Sequence, residues 1–255
     1  MRRALLTIAI SCLFLVGCGD ETRLDRIVEQ FKQAARKNVQ AQNSIWDMRY
    51  SAKEDIKQLY KEAIAKYLEI AETSRDVADQ VYVGMMYSTG EGVPKNDQEA
   101  MRWRLKAVEQ GSVQALSAIG EHYYFARPPN YEEAMKWNLM AAEKGNAQAQ
   151  RLVGNMFRDG KGVPYTNITE AGKWFLRAAE QGDEFAQRSI GEMYLMGTGV
   201  PKDFALAYMW INLATTKLPH TTQDFREALE RTLTPTQSEE GQRLTREWLE
   251  KHPKK

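Results

Sequence analysis

An all-α solenoid of two-helix repeats, closed by further helices at both ends, is the fold class this sequence predicts, and three observations predict it. Glycines recur at Gly84, Gly120, Gly154 and Gly191, spaced 36, 34 and 37 residues apart. Tryptophans keep the same rhythm at Trp103, Trp137, Trp174 and Trp210, as do alanines at Ala100, Ala134, Ala171 and Ala207. A Gly-x-Gly-Val-Pro segment appears three times, at Gly90 to Pro94, Gly160 to Pro164 and Gly197 to Pro201. A tandem period of this length marks an architecture in which each unit buries its apolar face only against its neighbours.

The chain of 255 residues would otherwise suit one or two globular domains, but the repeat overrides that prior. Formal charge is +1, so no strong field argues for nucleic acid or an anionic membrane surface as partner. The expected organisation is a signal peptide over 1–17, a lipidated tether over 18–23, an N-terminal helical cap over 24–75, about four repeats over 76–218, and a C-terminal helical cap over 219–255.

At the N-terminus, Arg2 and Arg3 precede an apolar run from Ala4 to Val16, too short to span a bilayer comfortably. The run ends in Leu15-Val16-Gly17-Cys18, which resembles the lipobox of bacterial lipoproteins. That resemblance implies acylation of Cys18, palmitate included, with cleavage before it. Gly19, not aspartate, follows the cysteine, which by analogy with Gram-negative sorting favours the outer membrane, facing the periplasm; Asp20 pulls the other way. Cys12 would leave with the signal and Cys18 would carry lipid. No thiol then remains for a disulfide or a thiolate metal site. Several acyl chains suffice for stable anchoring, at about 0.8 kcal/mol per buried CH₂.

Leu24, Ile27, Val28, Phe31 and Ala35 fall three or four apart and suggest one helix. Ile56, Leu59, Tyr60, Ala63, Ile64, Tyr67 and Ala71 form a stronger stripe. Tyr67 precedes Gly84 by the same 17 residues that separate Trp103 from Gly120, so this stretch reads as a half-repeat covering the open end.

Within each repeat, Gly111, Gly145 and Gly182 follow a helical stripe, where a left-handed residue after the helix costs glycine no Cβ clash. Ser112, Asn146, Asp183 and, in the first repeat, Asp76 stand ready as N-caps of helix A. Gly120 on that helix is expected to let a neighbouring backbone approach. The glycine turn leads to helix B, and its proline stops helix A. Asn96, Asn130, Asn167 and Asp203 then cap helix B. Glu99, Glu133 and Glu170, three residues after the asparagines, complete expected capping boxes. The second repeat substitutes Phe125-Ala126-Arg127-Pro128-Pro129 for the glycine turn, and the third gains a residue near Tyr165. Beyond Ala214 the pattern stops at Leu218-Pro219. A helix from about Thr222 to Leu233 is expected, then another after Thr234-Pro235-Thr236-Gln237, where Pro sits at the first helical position of a capping box.

The pattern Val/Ile-Gly-x-x-Tyr, Gly-x-Gly-Val-Pro and Ala-x-x-Trp-x-x-x-Ala-Ala-x-x-Gly resembles the Sel1-like repeat, a relative of the tetratricopeptide repeat. The resemblance covers about Asp76 to Leu218. It implies a curved right-handed superhelix that binds proteins, usually without catalysis. Bacterial members act as envelope adaptors or regulators, as host-interaction factors, or as immunity proteins that neutralise secreted toxins such as type VI phospholipases. Fold alone does not choose among these.

No catalytic constellation is visible. His122, His220 and His252 lack metal-like spacing, and no Gly-x-Ser-x-Gly elbow or P-loop ending occurs. No cofactor is expected. Asn167-Ile168-Thr169 matches a glycosylation sequon, but its asparagine already reads as a cap. The repeat tryptophans read as core. Function is therefore expected on the side that helix A turns to the concave face. The equivalent positions there are Gln114, Ser117, Glu121 and Tyr124; Gln148, Arg151, Asn155 and Arg158; Phe185, Arg188, Glu192 and Leu195. Arginine, carboxylate and aromatic residues together suit a protein partner better than a small molecule.

Overall fold

Helix follows helix throughout the computed structural model, which describes residues 54–216 and 218–253 and holds eleven helices and no strand among them. The helices are α1 (Glu54–Thr73), α2 (Val77–Thr89), α3 (Asp97–Glu109), α4 (Val113–Phe125), α5 (Tyr131–Glu143) and α6 (Ala147–Asp159). They continue with α7 (Ile168–Glu180), α8 (Glu184–Met196), α9 (Phe204–Thr215), α10 (Pro219–Thr232) and α11 (Pro235–Lys251). The expected signal peptide, the tether with Cys18 and the stripe from Leu24 to Ala35 lie outside the described residues.

Seven successive helices, α2 to α8, are each 13 residues long, and three residues separate every helix B from the next helix A up to α8. The changing period of the sequence therefore lives wholly in the turns from A to B. These span 90–96, 126–130, 160–167 and 197–203.

The helix ends explain why the helices stop where they do. Gly90, Gly160 and Gly197 are left-handed C-caps with φ of 77°, 68° and 68°, and their N–H groups return to the carbonyls of Met86, Met156 and Met193. Asn96, Asn130, Asn167 and Asp203 accept backbone N–H bonds at the start of helix B, as expected. The expected capping boxes there do not form. Glu99, Glu133 and Glu170 instead pair with Arg102, Lys136 and Lys173. The reason is that the cap residue's own N–H is already taken. It donates to the carbonyl of Tyr87, Tyr123, Phe157 or Tyr194, at 2.8–3.0 Å. The aromatic position of each Gly-x-x-Tyr/Phe thus closes its turn through its backbone. Among the described residues, only Thr234 and Gln237, where no helix A precedes, make a full capping box.

Gly120 works differently from expectation, since a side chain and not a backbone presses on it. At all four repeat glycines the nearest group is the side chain of the residue after the repeat tryptophan, with the Ala100 and Ala207 carbonyls next at Gly84 and Gly191. A Cβ on Gly120, Gly154 or Gly191 would stand 2.5 Å from Asn138, 2.8 Å from Phe175 and 2.8 Å from Ile211. Arg104 lies at 3.2 Å in the same relation to Gly84. Helix A and helix B of one repeat are keyed together by this knob in a glycine-sized hole.

The chain divides into two units, Met1–Ala115 and Leu116–Lys255, so that α4 begins in one and continues in the other. In the first unit Ile64, Tyr67 and Ala71 of α1 are buried in a core with Tyr82, Val83, Met86, Val93 and Trp103. Tyr67 donates to the buried carboxylate of Asp79, which also accepts from Ser74 at 2.6 Å. Burial, then the Asp79 charge beside it, pushes the Tyr67 hydroxyl far above the usual tyrosine range. Glu72 joins α1 to α3 through Arg102 and Lys106, both at 2.8 Å.

In the second unit the core runs through Ala171, Phe175, Ala178, Ile190, Met193 and Trp210. The last two helices close on α9. Trp248 meets Trp210 edge to face, Leu229 joins Tyr208 and Ile211, and Gly241 lets Tyr208 approach where a Cβ would be 2.7 Å away. The helix expected from Thr222 begins earlier, at Pro219. Leu218 precedes it without a side-chain cap, and proline in the first turn needs no N–H partner. Trp103, Trp174 and Trp210 are core as expected, but Trp137 is only half-buried and donates to Glu133 at 2.9 Å.

Candidate protein-binding face

Helix A places the expected site residues because its other faces are spoken for. Ala149, Leu152, Val153 and Met156 of α6 point into the core, as do Ala186, Ile190 and Met193 of α8. What remains is a row of longer polar side chains. Gln114 is exposed on the first turn of α4, in the first unit.

The other positions lie in the second unit, where neighbouring A helices join across the repeat step. Gln148 donates to Glu121. Arg151 donates to Asp183 at 3.0 Å while its guanidinium lies 5.3 Å over the ring of Phe185. Lys161 donates to the Tyr124 hydroxyl at 3.3 Å and sits over the rings of both Tyr124 and Tyr131. Arg188 pairs with Glu192 one helical turn on, at 2.9 Å. Arg158 holds Asp159 at 2.9 Å and lies 5.8 Å over Phe175. Asn155 and Leu195 are half-buried beside them. Ser117 is not part of the surface. It is 5% exposed, because its short side chain stays in the helix interface at a position where Arg151 and Arg188 reach outward.

Charge on this face is mutually compensated. Burial tends to raise the Asp159 carboxyl, but the Arg158 and Lys161 cations more than offset it and hold it below the usual range. The hydrogen bond to Tyr124 raises Lys161. Such a face offers guanidinium, amide and aromatic groups, and the ring of Phe185 on it is 49% exposed. Among the described residues no group of three or more His, Cys, Asp or Glu could hold a metal ion. No described helix is long and apolar enough to cross a membrane.

Sequence reasoning missed one set of residues entirely. Gln80, Gln150 and Gln187, each four before a repeat glycine, are buried and donate back to the carbonyls of Ser74, Ala142 and Ala179. Gln150 also accepts from Gln181. Their signal was the recurrence of a polar residue on an apolar stripe; the second repeat has Leu116 there.

Comparison with known proteins follows the same repeats. The model of the Sel1 repeat matches residues 78–112, 113–146, 147–183 and 185–217. Among solved structures, a protective antigen present in uropathogenic Escherichia coli strains, displaying an SLR fold, is 29% identical with a TM-score of 0.64. The match covers 90% of this chain and 49% of that one. A Sel1 repeat protein from Oxalobacter formigenes is 25% identical with a TM-score of 0.56, covering 77% of this chain and 63% of its own. An immunity protein from Pseudomonas aeruginosa is 16% identical with a TM-score of 0.45, covering 91% and 81%, a likeness too slight to bear on function. The chain thus spans about half the length of the first relative and under two thirds of the second. No curated protein sequence matches.

Proposed function

The chain belongs to the Sel1 repeat family, and from that premise we propose that it is a non-catalytic adaptor or regulator that docks another protein on the A-helix face. Sel1 repeats form scaffolds suited to protein binding, generally without catalysis of their own. The observation that carries the reading is Arg151, pinned between Asp183 and the half-exposed ring of Phe185 across two repeats. A guanidinium already ordered by its neighbours loses little further freedom when a partner adds a hydrogen bond, which is how arginine and aromatic anchors dominate interfaces. The proposed location is the bacterial envelope, with acyl chains on Cys18 as the only membrane contact and the repeats facing the periplasm.

The test of the docking face is affinity capture from envelope extract with the full chain in mild detergent, run beside Phe185→Ala and Arg188→Ala variants. A partner retained by the parent and lost by both variants supports the face. A partner retained equally by all three removes it. A single stoichiometric secreted enzyme in the catch would turn the reading from adaptor to toxin neutraliser. For the anchor, growth with an alkyne-tagged palmitate should label the parent and leave Cys18→Ser unlabelled.

A further inference from the structure

Two departures from the repeat pattern lie side by side in the second unit. The turn 126–130 carries Pro128-Pro129 where the other repeats carry glycines, and the turn 160–167, the longest, carries the additional Tyr165. They wall an open groove of ≈ 890 Å³, with Pro128, Pro129 and Tyr131 on one side and Val163 and Pro164 on the other. The walls are held in place by Gly162, where a Cβ would stand 2.1 Å from the Tyr131 carbonyl oxygen, so the backbone of the turn 160–167 rests directly on the first residue of α5. Just along the chain from the two walls, Phe125 and Tyr165 are 67% and 71% exposed. Exposed aromatics beside an apolar depression mark an interaction site more often than a bare surface.

The chemistry of the occupant follows from the lining. Glu132 is its single charged residue, and its carboxylate has no ion pair or hydrogen bond among the described residues. Its neighbour Glu133 is occupied by Trp137 and Lys136. No sheet edge exists among the described residues, so strand addition is unavailable and side chains must hold the ligand. Prolines and tyrosine have little freedom to lose and suit an extended chain whose own side chains enter the groove. We infer that this groove, separate from the A-helix face, receives an extended apolar segment of a partner protein carrying a lysine or arginine that meets Glu132.

The test is selection of a random twelve-residue peptide library displayed on phage against the purified full chain. Enriched peptides are then measured by fluorescence anisotropy. The expected consensus has apolar residues or proline flanking a basic residue. Tyr165→Ser should weaken such peptides at least tenfold. Glu132 also sits in the first turn of α5, where a carboxylate favours the helix end, so its role is read by exchange: Glu132→Lys should prefer the same peptides with glutamate in place of the basic residue. Both substitutions are at exposed positions, and an unchanged circular dichroism melt confirms folded variants. Acidic or uncharged consensus peptides, binding indifferent to both variants, or no enrichment would each overturn the proposal. So would self-association of the parent that Tyr165→Ser abolishes, because the occupant would then be a second copy.

Discussion

The second and third repeats carry helices of identical length and share the asparagine cap that closes each turn, but differ in the knob, the turn residues and the buried glutamine. The third is keyed by Phe175 against Gly154, turned by two left-handed glycines, and tied back to α5 by Gln150. The second, from Leu116 onward, has Asn138 as its knob, a proline turn, and no glutamine. Asn138 is fully buried, with its Oδ1 lacking a hydrogen-bond partner and its amide nitrogen spent on its own helix at Ala134. One repeat is keyed by an apolar ring, and the other by a buried amide with an unpartnered oxygen. A repeat tolerates this because its neighbours supply their own interfaces.

The tryptophans separate the two repeats most widely. Trp174→Ala should cost about 3–5 kcal/mol, the range for a buried large aromatic. Trp137→Ala, which loses a half-buried ring and one hydrogen bond to Glu133, should cost about 1–2 kcal/mol. Urea unfolding of both variants checks the contrast, and equal midpoints would erase it.

The glycines come next. Gly162→Ala must fit a Cβ against the Tyr131 carbonyl at a φ of 68° and should lose more than about 3 kcal/mol. Gly145→Ala also has positive φ, 89°, but meets nothing within 4 Å, and should lose only about 1–2 kcal/mol. Thermal melts of the pair tell a turn wedged on its predecessor from one that only needs the left-handed conformation.

Replacing the knob tests the cost of the second repeat's irregularity. Asn138→Leu removes a buried carbonyl without a partner and should stabilise by about 1 kcal/mol. A lower melting temperature would mean that the amide serves the packing against Gly120 better than a methyl pair does. At similar scale, Asn167→Ala should cost about 1 kcal/mol. Glu170→Ala should cost under about 0.5 kcal/mol, because the Asn167 N–H is already bonded to Phe157. Equal losses would restore the capping box.

The smallest effect is acid-dependent. Asp159 has a depressed folded pKa, so its contribution is present above the ordinary aspartate value of 3.8 and disappears as pH falls through the folded value. Asp159→Asn should therefore melt below the parent at neutral pH and coincide with it near about pH 2. A gap that persists in acid would assign the effect to shape.

Much of this was legible in the sequence because the signals are local and repeated. Gly90, Asn96 and Pro94 announce a turn without reference to anything distant, and three copies of it let each correct the others. The helix fold, the N-cap residues and the burial of Trp103, Trp174 and Trp210 follow from that, whereas Trp137 keeps the rhythm without the burial. What was not legible depends on contacts across helices. Gly120 announces close approach but not that Asn138 makes it. Glu99 three residues after Asn96 looks like a box until the Tyr87 carbonyl takes the cap's N–H. Ser117 shares a helical phase with Arg151, but side-chain length decided which reached the surface. The polar row itself was readable by phase. Its pairings, such as Arg151 with Asp183 and Phe185, needed the step between repeats.

The direction of these contacts has a consequence for how the chain is made. Gly162 rests on Tyr131, Gly199 on Ile168, and Gln150 and Gln187 on Ala142 and Ala179, so each leans on residues synthesised earlier. A repeat leaving the ribosome therefore meets a finished template and needs nothing that is still untranslated to close its turn. Within the second unit, growth can keep pace with translation, one hairpin at a time, with no long loop to shut at the end.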